Sequence, residues 1–133
     1  MWFKRKAQPP IRSLIGEGTR FDGALSFNDG MRIDGEVKGD VVALGDGPTL
    51  LVISEKARVI GKVMAAHVII NGEVEGPIVC SEMLELQPKA RIAGDVHYKT
   101  LEMHQGATIC GKMVPADTVV EEKPPLKLAS SKQ

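Results

Sequence analysis

Three histidines and two cysteines are the residues of this chain best suited to metal binding or nucleophilic chemistry. His67, His97 and His104 show no ligand spacing such as His-x3-His, and Cys80 and Cys110 lie 30 residues apart. The histidines therefore read as surface or corner residues, although a fold can bring distant positions together. Neither cysteine nor any serine has the setting of an activated nucleophile. Cys80 shares the parity of Ile78 and reads as a small core residue, while Cys110 has the opposite parity to Ile109 and Met113 and reads as exposed. No Gly-x4-Gly-Lys-Ser/Thr run is present to cradle a nucleotide phosphate, and Gly16-x-Gly18 and Gly45-x-Gly47 read as turn glycines. The expectation is a non-enzyme with no cofactor and no metal.

One segment has chemistry of another kind. Met1-Trp2-Phe3-Lys4-Arg5-Lys6 sets two aromatics suited to a headgroup region beside three adjacent cations. Each cation near an anionic leaflet contributes about 1 kcal/mol at most, and the apolar residues add a few more. One copy should bind a membrane weakly, whereas a polymer displaying many copies binds by avidity. These six residues are the expected membrane-binding peptide, and deleting residues 2 to 6 should release the protein from anionic liposomes.

The rest of the chain must carry that peptide. The 133 residues hold 17 Lys+Arg against 17 Asp+Glu, a length suited to one domain with short ends. Residues 1 to 20 sum to +4, residues 21 to 116 to −4, and residues 117 to 133 to zero. An acidic body is a poor match for nucleic acid, so neither nucleic acid nor nucleotide is an expected partner. The uncharged runs fall well short of the roughly 20 residues of a membrane span, and Pro9 and Pro10 replace the apolar stretch of a signal peptide. Two cysteines fit a reducing compartment. Together these features read as a soluble cytoplasmic protein.

The dominant feature is internal repetition. An apolar-x-Gly-x-apolar unit appears as Phe21-x-Gly23-x-Leu25, Ile33-x-Gly35-x-Val37, Val59-x-Gly61-x-Val63 and Ile70-x-Gly72-x-Val74. It returns as Ile92-x-Gly94-x-Val96 and Ile109-x-Gly111-x-Met113. A longer unit contains it: Leu51-x-Ile53 before Ala57-x-Val59-x-Gly61-x-Val63 matches Leu84-x-Leu86 before Ala90-x-Ile92-x-Gly94-x-Val96. Leu101-x-Met103 before Ala107-x-Ile109-x-Gly111-x-Met113 matches again. Apolar and polar residues alternate within each unit, the period of a strand with one buried face. Short strands joined by tight corners about every 17 residues describe a solenoid with roughly three faces per turn. Residues 19 to 114 give room for five to six turns, and Gly45-Asp46-Gly47-Pro48 reads as a loop bulging from one corner.

At these residues the sequence resembles the bactofilins, bacterial cytoskeletal proteins built on a right-handed parallel β-helix. The likeness rests on Gly18-Thr19 leading into Phe21-Asp22-Gly23, and on Ile33-Asp34-Gly35-Glu36-Val37-Lys38-Gly39-Asp40-Val41 with the units after it. The resemblance implies handedness, which periodicity alone does not supply. It also implies nucleotide-independent self-assembly into non-polar filaments with head-to-head and tail-to-tail contacts. It further implies a place on the inner face of the cytoplasmic membrane, where such filaments localise cell-wall or morphogenetic proteins. Several members begin with a comparable apolar-plus-basic peptide.

The expected architecture is all-β and single-domain: a flexible segment over 1–17, a β-helix polymerisation domain over 18–114, and a disordered Pro-containing tail over 115–133. A solenoid has two open ends, each exposing unpaired backbone and a slice of core. Phe21, Leu25 and Phe27 at one end, with Leu101, Met103, Ile109 and Met113 at the other, are the expected polymerisation interface. Ile109→Arg or Met113→Arg is expected to leave the fold intact and shorten the polymer. The rival reading is a trimeric left-handed β-helix enzyme, an acyltransferase or carbonic-anhydrase-like protein, but those carry a strict six-residue period that is missing here. A third reading is an adaptor whose tail peptide Lys123-Pro124-Pro125-Leu126-Lys127-Leu128 docks partners.

Overall fold

The structure, a computed structural model, describes residues 8–116. The Met1–Lys6 peptide and the tail from residue 117 onward lie outside the described residues. Turn one contains β1 (Ile11–Ile15), β2 (Arg20–Asp22) and β3 (Leu25–Phe27). Turn two contains β4 (Gly30–Ile33), β5 (Glu36–Lys38) and β6 (Val41–Ala43). Turn three contains β7 (Leu50–Ile53), β8 (Arg58–Ile60) and the start of β9 (Val63–Ile70). β9 bends round a corner into turn four, which continues with β10 (Glu73–Glu75) and the start of β11 (Ile78–Leu86). β11 likewise runs on into turn five, completed by β12 (Arg91–Ala93) and β13 (Val96–Tyr98). Turn six contains β14 (Thr100–Met103), β15 (Thr108–Cys110) and β16 (Met113–Pro115).

Every strand pairing is parallel, and the turns stack into three faces. The first face runs β1-β4-β7-β9-β11-β14, the second β2-β5-β8-β10-β12-β15, and the third β3-β6-β9-β11-β13-β16. Continuous strands β9 and β11 join the first and third faces into one sheet. At about 4.8 Å per turn, six turns make a rod roughly 25 Å long.

Period-two alternation becomes columns of like residues. Phe21, Val37, Val59, Val74, Ile92 and Ile109 are successive register partners on the second face. Leu25, Val41, Val63, Ile78, Val96 and Met113 do the same on the third. Aliphatics stacked this way fill a narrow interior without aromatic bulk. The repeat length is not constant: the second-face column steps by 16, 22, 15, 18 and 17 residues. The longest step contains the expected 45–48 bulge, which ends at the buried Thr49, whose Oγ1 accepts a 2.9 Å hydrogen bond from the Ala66 N–H.

The structure divides what reads in sequence as one glycine unit into two different corners. Gly23, Gly39, Gly61, Gly76, Gly94 and Gly111 form one column, between the second and third faces. At Gly76, φ is +148°, and a Cβ would strike the carbonyl of Gly61 one turn below. Only glycine tolerates both the conformation and the approach. Asp40 and Asp95, which follow Gly39 and Gly94, accept hydrogen bonds of 2.9 and 3.0 Å from the N–H groups of Lys62 and Lys112 one turn on. The Gly-Asp pairs are thus corner braces. Gly35 and Gly72 belong instead to the corner between the first and second faces. There two-residue corners interleave with four-residue turns closed by Ala57 N–H to the Ser54 carbonyl and Ala90 N–H to the Gln87 carbonyl, each 3.0 Å. A Cβ on Gly72 would meet the carbonyls of Ser54 and Ala57, and one on Gly35 those of Gly16 and Thr19, so the two-residue corners admit only glycine at their second position.

One boundary differs from the sequence reading, which begins the solenoid at residue 18. β1 lies within the 1–17 segment and pairs with β4. Its register shifts between Ile11 and Ser13, and this irregularity breaks the strict alternation that would reveal the strand in sequence.

Candidate polymerisation surfaces

Among the described residues the solenoid is open at both ends. β1, β2 and β3 each have one hydrogen-bonded neighbour, as do β14, β15 and β16, so each end presents three unpaired strand edges. Burial along the columns shows the consequence. Val37, Val59 and Val74 are wholly buried, whereas Phe21 and Ile109 at the two extremities are half-buried. On the third face Val41, Val63, Ile78 and Val96 are wholly buried, while Leu25 is half-buried and Met113 is 43% exposed. The end residues are apolar like their buried partners, and they differ in having no further turn over them among the described residues.

The residues expected at the interface occupy three environments. Met103 and Met113 are exposed on the last turn. Phe21, Leu25, Leu101 and Ile109 are half-buried and pack against the core. Phe27 is buried and underlies the first turn without offering surface. The sequence reading did not single out Ile11 and Leu14 on β1, which are exposed large apolar residues at the first end. Their signal was the Ile11-x-x-Leu14-Ile15 run, hidden by the bulge. Fully covering an exposed aliphatic side chain contributes roughly 1.5–3 kcal/mol, so these partly covered side chains leave a fraction of that burial unrealised at each end.

Charged groups on the flanks are mostly solvent-facing pairs. Arg58 spans Glu75 at 2.8 Å and Glu73 at 3.5 Å across the second face. On the first face Asp34 accepts a short hydrogen bond from the Ser54 hydroxyl and faces Arg32, and the Ser54 bond foremost holds its carboxyl below the ordinary range. Cys80 is buried against the core, and that desolvation pushes its thiol up to about 12; Cys110 is exposed. Of the histidines, His97 is exposed and His67 half-buried, while His104 sits beside Glu85 and Glu102.

The described residues define a parallel β-solenoid stacked in register, whose aliphatic columns end, among those residues, in half-buried or exposed side chains on the first and last turns. The family model "Bactofilin: Polymer-forming cytoskeletal" matches residues 13–114. Bactofilin BacO of Myxococcus xanthus (strain DK1622) is 28% identical over 111 residues, covering 84% of this chain and 85% of that protein. No solved structure matches significantly. The chain belongs to the bactofilin family of polymer-forming cytoskeletal proteins.

Proposed function

We propose that this protein is a membrane-attached cytoskeletal scaffold. It assembles without nucleotide into non-polar filaments through head-to-head and tail-to-tail contacts. The observation that carries the reading is the burial gradient: columns wholly buried at Val59 and Val63 end in half-exposed or exposed residues at both extremities. A contact between like ends is isologous, so each residue meets a surface already complementary to it about a two-fold axis. An edge strand that crosses such an axis at right angles lies antiparallel to its own copy, a pairing open to an unpaired edge. Alternating the two kinds of contact gives a filament without polarity.

The Met1–Lys6 peptide supports attachment to anionic lipids of the inner membrane face. Its weak single-copy affinity is multiplied along a filament, so assembly and attachment reinforce each other. A filament held at the membrane in this way localises cell-wall or morphogenetic proteins, the role that belongs to the family. Negative-stain microscopy and liposome sedimentation of the nucleotide-free protein test the reading. Filaments that sediment with anionic vesicles, and filaments freed from vesicles by deleting residues 2 to 6, are expected. A discrete trimer in light scattering would instead favour the β-helix enzyme reading.

A further inference from the structure

Glu85 and Glu102 are direct register partners on neighbouring strands β11 and β14 of the first face. Like charges placed opposite each other destabilise a sheet, so the pair calls for a cation. His104, two residues beyond Glu102, turns Nε2 toward them, 3.5 Å from Oε2 of Glu85 and 3.4 Å from Oε2 of Glu102. That nitrogen is buried and has no hydrogen-bond partner among the described residues. One donor atom from each residue lies within 4.8 Å of the other two. We propose that Glu85, Glu102 and His104 form a binding site for a divalent transition-metal ion, zinc by preference, on the last turn of the solenoid.

The two separations from the histidine nitrogen, 3.5 and 3.4 Å, favour zinc. Zinc–nitrogen and zinc–oxygen bonds of about 2.0–2.2 Å place neighbouring ligand atoms of a tetrahedron roughly 3.3–3.6 Å apart. Magnesium, held octahedrally at about 2.0–2.1 Å, requires roughly 2.9 Å, and calcium takes all-oxygen sets of six or more. Three protein atoms leave one tetrahedral position for water. The backbone holds the histidine in place: its N–H donates to the Leu86 carbonyl at 2.8 Å, and its carbonyl accepts from the Ala107 N–H at 3.2 Å. Gln87 Nε2 donates to Oε2 of Glu85 at 3.0 Å, an outer contact that orients the carboxylate while leaving it a lone pair for the metal. Glu85 and Glu102 stand 17 positions apart in sequence, one turn of the coil, so no ligand spacing shows in the sequence.

The test uses the chelator-treated full-length chain near neutral pH, titrated with Zn2+ alone by calorimetry and with Co2+ by visible spectroscopy. One ion per chain is expected, with the strong visible bands of tetrahedral cobalt. Glu102→Gln and His104→Ala should each weaken binding more than about 100-fold, beyond the loss produced by an outer contact. Unchanged circular dichroism will show that the variants fold; should one misfold, the other and Glu85→Gln carry the measurement. His97→Ala, at an exposed histidine of the neighbouring face, should bind as the parent does. Equal affinity of the parent and Glu102→Gln would overturn the proposal, leaving an imidazolium–carboxylate ion pair. Equal weakening by His97→Ala, or absence of the cobalt bands, would overturn it too.

Discussion

Leu86 and Met103 are register partners on adjacent turns, yet Leu86 is wholly buried and Met103 is 43% exposed. Both side chains belong to the same inward column, continuing Ile33, Ile53 and Ile70. The difference is that Leu86 has a turn above it, whereas among the described residues Met103 has none. Substitutions at the two positions should therefore separate folding from assembly. Leu86→Ala should lower stability by about 2–5 kcal/mol, read from denaturant unfolding. Met103→Arg combined with Met113→Arg should keep the strand signal in circular dichroism and yield short oligomers in micrographs. Filaments of normal length from that double variant would remove the last turn from the contact. Ile109 is half-buried against the core, so Ile109→Arg disturbs packing as well as contact and reports less cleanly than Met113→Arg.

The stacked glycine column makes a second pair of opposed outcomes. Gly76→Ala places a side chain in a positive-φ corner against the Gly61 carbonyl and should cost more than about 1–3 kcal/mol. Gly47→Ala lies in the bulge with nothing within 4 Å and should leave the melting temperature nearly unchanged. Thermal melts of the two variants beside the parent compare them directly.

Thiol chemistry probes the core without mutation. Cys80 is buried with its ionisation suppressed, and Cys110 is exposed. A thiol reagent near neutral pH should therefore label one cysteine per chain in the native state and both in denaturant. Peptide mapping should place the native label on Cys110. Rapid native labelling of Cys80 would show that the third face opens.

Acid stability tests the link between adjacent turns at Ser54 and Asp34. Asp34 is depressed foremost by the Ser54 hydroxyl and further by Arg32. A carboxyl with a folded pKa below its unfolded value of about 3.9 contributes stability that is fully present above that value and lost as pH falls through the folded pKa. Ser54→Ala should therefore be less stable than the parent near neutral pH. The gap should narrow once the solution is acidic enough to protonate Asp34 in both proteins. Melting temperatures across the acidic range measure this, and a gap that stays constant would show that the Ser54 contribution is not linked to the carboxyl's ionisation.

Much of this protein was legible as a line of residues because its contacts are periodic. Alternation at Val59-x-Gly61-x-Val63 and its copies requires strands, and a recurrence near 17 requires stacked turns. The parity of Ile78 and Cys80 already separated the buried thiol from the exposed one. Tertiary structure alone decided which repeats stand over which. Gly35 and Gly61 look alike in sequence but lie at different corners: Gly35 sits within the two-residue corner between β4 and β5, and Gly61 between β8 and β9. Likewise β1 became a strand only by pairing with β4, since its bulge erases the local period. The meeting of Glu85, Glu102 and His104 depends on the register of β11 against β14. Register is set by the summed lengths of every corner in between, a non-local quantity that no single stretch of sequence contains.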